Sequence, residues 1–322
     1  MDEDNNSTLM CANCGKGEEC SGDLKSCTAC KMVKYCNRDC QIAHRPQHKK
    51  ACKKRATELH DEALFNEPPP PEDCPICCLP LPFDIIHTMF QSCCGKTICS
   101  GCIYAMIQDA AKRGKKREEA GICAFCRAPH ANSDEDYLKR IENLTDNAVA
   151  FYALAGVYAA GSMGLPQDWV KANELHLKAG ELGHVDGYYH LGNAYDDGNG
   201  VEVDKGKAKH YWELAAMGGN VHARYNLGYT EAKAGNNRRA MKHVMISART
   251  GHDESLDKVK SGFKNGTVTK DEYEGTLRAY HNSQLETKSD MRDQVTALKS
   301  GFWSSIKDEC EGALRNQMGN GY

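Results

Sequence analysis

Cys74-Pro75-Ile76-Cys77 and Cys123-Ala124-Phe125-Cys126 bracket the run Cys93-Cys94-Gly95-Lys96-Thr97-Ile98-Cys99-Ser100-Gly101-Cys102. Upstream of them lie Cys11-x2-Cys14, Cys27-x2-Cys30, Cys36-x3-Cys40 and His48-x3-Cys52. A CxxC turn offers two thiolates to one ion from a tight loop, and zinc takes four ligands in a tetrahedron, so such pairs must meet in space. Two consecutive eight-ligand arrays therefore predict two modules, each built around two zinc ions. His48 and Cys52 are four residues apart, which puts both on one helical face. The chain has 18 cysteines. In a reducing compartment such a number points to metal rather than disulfides. Cys20, Cys78 and Cys310 are left over as spare thiols. Cys20 and Cys78 lie beside ligand pairs and are alternative ligands.

At 322 residues the chain has room for two or three domains. With 41 Lys+Arg against 44 Asp+Glu the formal net charge is −3, so no global field draws it to nucleic acid or membrane. The segment Met1-Asp2-Glu3-Asp4-Asn5-Asn6 is acidic and lacks the apolar core of a secretory signal. No run of about twenty apolar residues is present, so no membrane span is expected. The expectation is a soluble protein of the cytoplasm or nucleus.

Over residues 9–56, Tyr35-Cys36-Asn37-Arg38-Asp39-Cys40-Gln41, then His48-Lys49 and Cys52, resemble the MYND zinc finger in order, spacing and flanking residues. The resemblance implies interleaved ligation. Cys11, Cys14, Cys36 and Cys40 would hold one ion, and Cys27, Cys30, His48 and Cys52 the other. The family usually carries Trp five residues after the sixth ligand, where it helps line a groove for proline-containing peptides; Arg45 stands there in this chain. The basic run Lys49-Lys50 and Lys53-Lys54-Arg55 has no interleaved aromatic residues, so nucleic acid is not an expected partner. Residues 57–66 read as more of the same helix, and Pro68-Pro69-Pro70-Pro71 ends it as an extended spacer. A linker of helix and prolines is thus expected over 57–71.

The second array, 72–130, resembles a RING finger. Lys96 stands where the family has a ligand His, and a protonated lysine has no lone pair for zinc. The adjacent Cys93 and Cys94 restore the count, as in all-cysteine RING variants; His87 is an alternative. Interleaving would put Cys74, Cys77, Cys99 and Cys102 on one ion, and Cys93, Cys94, Cys123 and Cys126 on the other. The resemblance implies ubiquitin-ligase activity by positioning a ubiquitin-charged conjugating enzyme, with no covalent step. Ile76, Met106 and Arg127 stand at the family's contact positions for that partner. Ala124 replaces the usual Pro of the last ligand pair.

Residues 148–183, 185–219 and 221–252 align on one another. Tyr152-Ala153-Leu154-Ala155-Gly156-Val157-Tyr158 matches Tyr189-His190-Leu191-Gly192-Asn193-Ala194-Tyr195 and Tyr225-Asn226-Leu227-Gly228-Tyr229. Ala179 to Ala215 is 36 residues and Ala215 to Ser247 is 32, because the loop Gly198–Asp204 shrinks to Gly235-Asn236-Asn237. A period near 36 with small residues at helix contacts predicts stacked helical hairpins. The pattern, with Asp-Gly-x-Gly-Val-x-x-Asp over Asp197–Asp204, resembles Sel1-like repeats, relatives of the TPR. Such a solenoid, expected over 145–266, implies a protein or peptide partner on its face. Its histidines (His176, His184, His190, His210, His222, His243, His252) lack paired ligand spacing and read as packing or surface residues. Thr269 is a candidate N-cap for a single capping helix over 267–298, followed by a tail over 299–322.

The expected fold is multidomain: two small zinc-stabilised ββα modules, then an all-α solenoid of helical hairpins. Two functional readings stay open. One is a zinc-dependent RING-type ubiquitin ligase whose repeats recruit substrate or adaptor. The other is a non-enzymatic scaffold for protein interactions. A SET-type methyltransferase is excluded, since no Asn-His-Ser-type motif is present. Gly-x-Ser-x-Gly and Gly-x4-Gly-Lys-Ser/Thr are also absent, which removes serine hydrolase and P-loop chemistry.

Overall fold

The computed structural model of the chain describes residues 10–17, 24–83, 87–114 and 122–297. Cys20, Cys310 and the tail 299–322 lie outside the described residues. The chain divides into two compact units, Met1–Asn66 and Glu67–Tyr322.

In the first unit, β1 (Lys25–Ser26) pairs antiparallel with β2 (Lys34–Tyr35), and α1 (Arg38–Leu64) follows. Asn37 caps α1 by accepting from the Cys40 amide at 2.8 Å. The core of this unit is made of its own ligands. Cys11, Cys27, Cys30 and Tyr35 are buried together, with Leu24, Val33, Cys36, Cys40 and Cys52 packed around them.

The second unit begins with another ββα module. β3 (Thr88–Gln91) pairs antiparallel with β4 (Lys96–Cys99), which runs directly into α2 (Ser100–Lys112). Met89, Ile98 and Ile103 join Cys74 and Cys99 in a small core. A helix not foreseen in the sequence, α3 (Asp134–Glu142), then joins this module to the repeats. Ser133 caps it, and Tyr137 and Ile141 pack with Ala150 and with Phe90 of β3.

The repeats form three helical hairpins: α4 (Ala148–Ala160) with α5 (Trp169–Glu181), α6 (Val185–Asp197) with α7 (Lys205–Met217), and α8 (Val221–Lys233) with α9 (Asn237–Arg249). The repeat chemistry is visible at the helix ends. Asp168 and Asp204, equivalent by sequence, cap α5 and α7 through the amides of Lys171 and Lys207 at 3.0 Å. Gly183, Gly219 and Gly251 follow the second helix of each hairpin at φ +99°, +104° and +101°. Only glycine enters that region without strain.

The single helix expected over 267–298 is two helices, the first being the second arm of a fourth hairpin and the second a separate short helix. α10 (Asp253–Lys264) and α11 (Lys270–Glu286) make a fourth hairpin, packed on α9 through Val259, Val268, Tyr273, Leu277 and Tyr280. Thr269 and Glu272 form a reciprocal capping box at its start. The chain then breaks, because the Ser289 hydroxyl accepts from the Arg292 amide at 3.3 Å and starts a new helix, α12 (Asp290–Ala297). This last helix does not cap the solenoid. It packs on α2 of the zinc module.

Five of the solenoid histidines are buried or half-buried, and His210 and His222 are exposed. His176 and His190 stack at 4.9 Å between centroids, and His190 Nε2 lies 3.1 Å from the Tyr152 hydroxyl. Burial, with His190 and His184 nearby, holds His176 well below the ordinary 6.5. Burial and the neighbouring Arg224 bring His243 down to about 3. These imidazoles fold neutral, whereas the unfolded chain takes up their protons near 6.5. Stability is therefore full above that value and is lost as pH falls below it. Each such histidine should remove about 1.4 kcal/mol per pH unit over that fall. Urea unfolding followed by the fluorescence of the buried Trp212, compared at about pH 7 and about pH 5, checks this. A flat profile would contradict it.

Candidate metal centres

Four of the CxxC turns are copies of one backbone knuckle. In each, the residue after the second cysteine donates its amide to the carbonyl of the first: Gly15 to Cys11, Lys31 to Cys27 and Cys78 to Cys74 at 2.9 Å, and Arg127 to Cys123 at 3.0 Å. Those four residues also share a left-handed conformation, at φ +68°, +56°, +54° and +64°. Three of them are not glycine, and such residues rarely adopt it. The fifth turn, Cys99-x2-Cys102, instead opens α2.

Each of these four knuckles meets a different second ligand pair. Four groups have their ligand atoms within 4.8 Å of one another: Cys11/Cys14/Cys36/Cys40, Cys27/Cys30/His48/Cys52, Cys74/Cys77/Cys99/Cys102 and Cys93/Cys94/Cys123/Cys126. The shorter sulfur–sulfur contacts within them include Cys36–Cys40 and Cys93–Cys126 at 3.4 Å, and Cys74–Cys102, Cys77–Cys99 and Cys94–Cys123 at 3.8 Å. A tetrahedron with Zn–S of about 2.3 Å has edges of about 3.8 Å. A disulfide would need about 2.05 Å. The donor set, spacing and enclosure fit zinc. These are the groups named by the two resemblances, and both arrays interleave. Cys78 is exposed and, like His87, joins none of them. Neither does any solenoid histidine.

Backbone amides favour the thiolate at the leading sulfurs of two knuckles, Cys11 and Cys74. Burial pushes the Cys11 thiol up, but the backbone N–H groups of Cys14, Cys36 and Asn13 outweigh it and bring it to about 6. Burial likewise opposes, and the amides of Cys99, Cys77 and Ile76 reverse, the shift at Cys74, which sits at about 7. A hydrogen bond to the charged form favours that form, and thiolate is the form that ligates zinc.

Two residues that the spacing did not single out orient the His48 ligand. His44 stacks on its ring at 5.5 Å and 15°, and the buried Tyr35 hydroxyl meets His44 Nδ1 at 3.0 Å. Their signal in the sequence is helical: His44 and His48 are one turn apart on α1.

Residues 11–52 match the MYND finger family. Residues 148–184 and 185–220 each match the Sel1 repeat. The first unit is thus a MYND finger, and α4–α7 are two Sel1 repeats. The third aligned unit, 221–252, folds as a hairpin beyond that match. No curated protein matches the chain significantly. Among solved structures the chain is similar to a Sel1 repeat protein from Oxalobacter formigenes, at 21% identity over 47% of this chain and 64% of that one, with a TM-score of 0.40. It is also similar to a protective antigen of uropathogenic Escherichia coli strains with an SLR fold, at 24% identity over 47% of this chain and 33% of that one, with a TM-score of 0.38. The chain spans less than two thirds of the length of either.

The three residues that the RING resemblance names sit on the second zinc module. Ile76 lies at the tip of the first knuckle and is 42% exposed. Arg127 closes the last knuckle and is exposed, and Met106 is half-buried on α2. Lys96, at the family's His position, is exposed with its ammonium 5.7 Å from the centroid of the Phe125 ring. Ala124 packs inward on the module core, while its neighbour Phe125 is 49% exposed. No helix among the described residues is long and apolar enough to cross a membrane.

Proposed function

We propose that this zinc-finger and Sel1-repeat scaffold for protein interactions is a RING-type ubiquitin ligase. In this reading its second zinc module positions a ubiquitin-charged conjugating enzyme, and its repeats recruit substrate or adaptor. The observation that carries the reading is a cross-braced ββα module whose first and last knuckles each expose an apolar residue, Ile76 and Phe125. Phe125 supplies the apolar surface that Ala124, turned into the core, does not. Arg127 is free to reach ubiquitin from the same knuckle. No residue here needs to be a nucleophile, since the reaction is accelerated by holding a thioester in a reactive geometry. Four zinc ions per chain are expected, two in each module.

Autoubiquitination of the zinc-quantified chain against a panel of conjugating enzymes tests this. Polymer formation is expected, with Ile76→Ala lowering it roughly five- to thirtyfold, since loss of one buried apolar contact costs about 1–2 kcal/mol, and Arg127→Ala lowering it through loss of a charged hydrogen-bond donor. No product from a fully zinc-loaded chain across the panel would return the protein to the non-enzymatic scaffold reading.

A further inference from the structure

The last described helix reaches back to a metal centre. Arg292, on α12, is 6% exposed. Its guanidinium donates from Nη1 to the carbonyls of Pro80 at 2.7 Å and Thr287 at 2.9 Å, and from Nη2 to the Leu79 carbonyl at 3.4 Å and to Cys77 Sγ at 3.5 Å. Cys77 is a ligand of the cluster Cys74/Cys77/Cys99/Cys102, 215 residues away in sequence. The approach is built in at Gly101, on the first turn of α2. A β-carbon there would lie 2.8 Å from Arg292 Cγ and 3.0 Å from its backbone nitrogen, so only glycine lets α12 come this close.

Four thiolates around a divalent ion leave net negative charge on the centre. A buried charge of this kind is costly unless compensated. We propose that Arg292 is the outer-sphere cation of this centre. It neutralises part of the charge and donates a hydrogen bond to a ligating sulfur, so that docking of α12 and retention of this zinc stabilise each other. The same guanidinium ties the loop after the first knuckle to the end of α11, through Pro80 and Thr287. The repeat solenoid is thereby coupled to the zinc module at both ends of the intervening chain, through α3 and through α12.

The inference needs zinc in this cluster and is indifferent to ligase activity. Its test is zinc release from the zinc-loaded full chain to a chromogenic chelator, resolved into kinetic phases. Arg292→Met should release one equivalent about ten- to a hundredfold faster than wild type, the usual effect of losing an outer-shell partner. The remaining phases should keep their rates. Arg292→Lys, which keeps the charge but not the paired donors, should fall between the two. Unchanged release from Arg292→Met would overturn the proposal. So would an equal acceleration of every phase, which would make Arg292 a packing residue only. If Arg292→Met cannot be loaded, Arg292→Lys decides alone: a single faster phase supports the proposal, and wild-type release overturns it.

Discussion

Chelation of zinc should abolish the MYND finger entirely while leaving the solenoid helical. The reason lies in what each part has for a core. In the finger, three of the four buried core residues are ligands, and the fourth, Tyr35, packs on them. Its strands are two residues each. Only Tyr35, Leu24 and Val33 remain to pack once the thiolates separate, too few for a core, so the metal supplies the folding free energy, about 10–16 kcal/mol for a structural zinc at neutral pH. The 27 residues of α1 then lose their anchor at Cys40, His48 and Cys52. The solenoid has its own core, with Ala155, Ala172, Ala179, Ala208, Ala215, Leu227 and Val259 all fully buried and no cysteine among them. The second zinc module should fall between these limits, because Met89, Ile98 and Ile103 supplement its ligands. Amide hydrogen exchange before and after chelation reads all three regions at once. Full exchange is expected over 25–35 and continued protection over α4–α9. Protection of 25–35 in the zinc-free chain would refute the account.

Gly187→Ala should destabilise the solenoid more than its size suggests. Gly187 sits on α6 where it crosses α5. A β-carbon there would lie 2.3 Å from the His176 carbonyl oxygen and 2.9 Å from the Gly180 nitrogen. Both are backbone atoms, so no rotamer change makes room; the two helices must separate. Overpacking of this kind costs about 1–3 kcal/mol, and the backbone contact places this case near the top of that range. The expected fall in Tm is roughly 6–12 °C. Gly206→Ala is the control. It is also helical, but its nearest neighbour is the Asp204 carboxylate oxygen at 3.2 Å, a side-chain atom at the start of α7. Alanine there should be close to neutral. Equal Tm values for the two variants would show that the α5–α6 approach is not set by Gly187.

Much of the candidate site was legible because its signals are local. A CxxC pair needs only four residues to make a knuckle, and the spacing of His48 and Cys52 needs only one helical turn. The repeats were legible because each hairpin restates its caps and small contact residues, as Asp168 and Asp204 do. The misreadings have local causes too. Periodicity in 267–298 is helical on both sides of Ser289, and nothing in it shows that the Ser289 hydroxyl captures the Arg292 amide. The helix α3 is short and follows no repeat, so its role as the joint between the zinc module and the solenoid came from Phe90 and Ala150, which pack on it from either side.

The sequence alone therefore determined the ligand chemistry, the presence of two metal modules and the helical-hairpin architecture, since each depends on residues within a turn or two of one another. Only the tertiary structure decided three further things. It turned Ala124 inward and left its neighbour Phe125 exposed, as Ile76 is on the first knuckle. It gathered His176, His184 and His190 into contact with Tyr152, where burial holds His176 and His190 below their ordinary value. It brought Arg292 onto Cys77 across 215 residues. Each of these depends on which surfaces the folded chain presses together, and that is set by the path of the whole chain rather than by the spacing of residues along it.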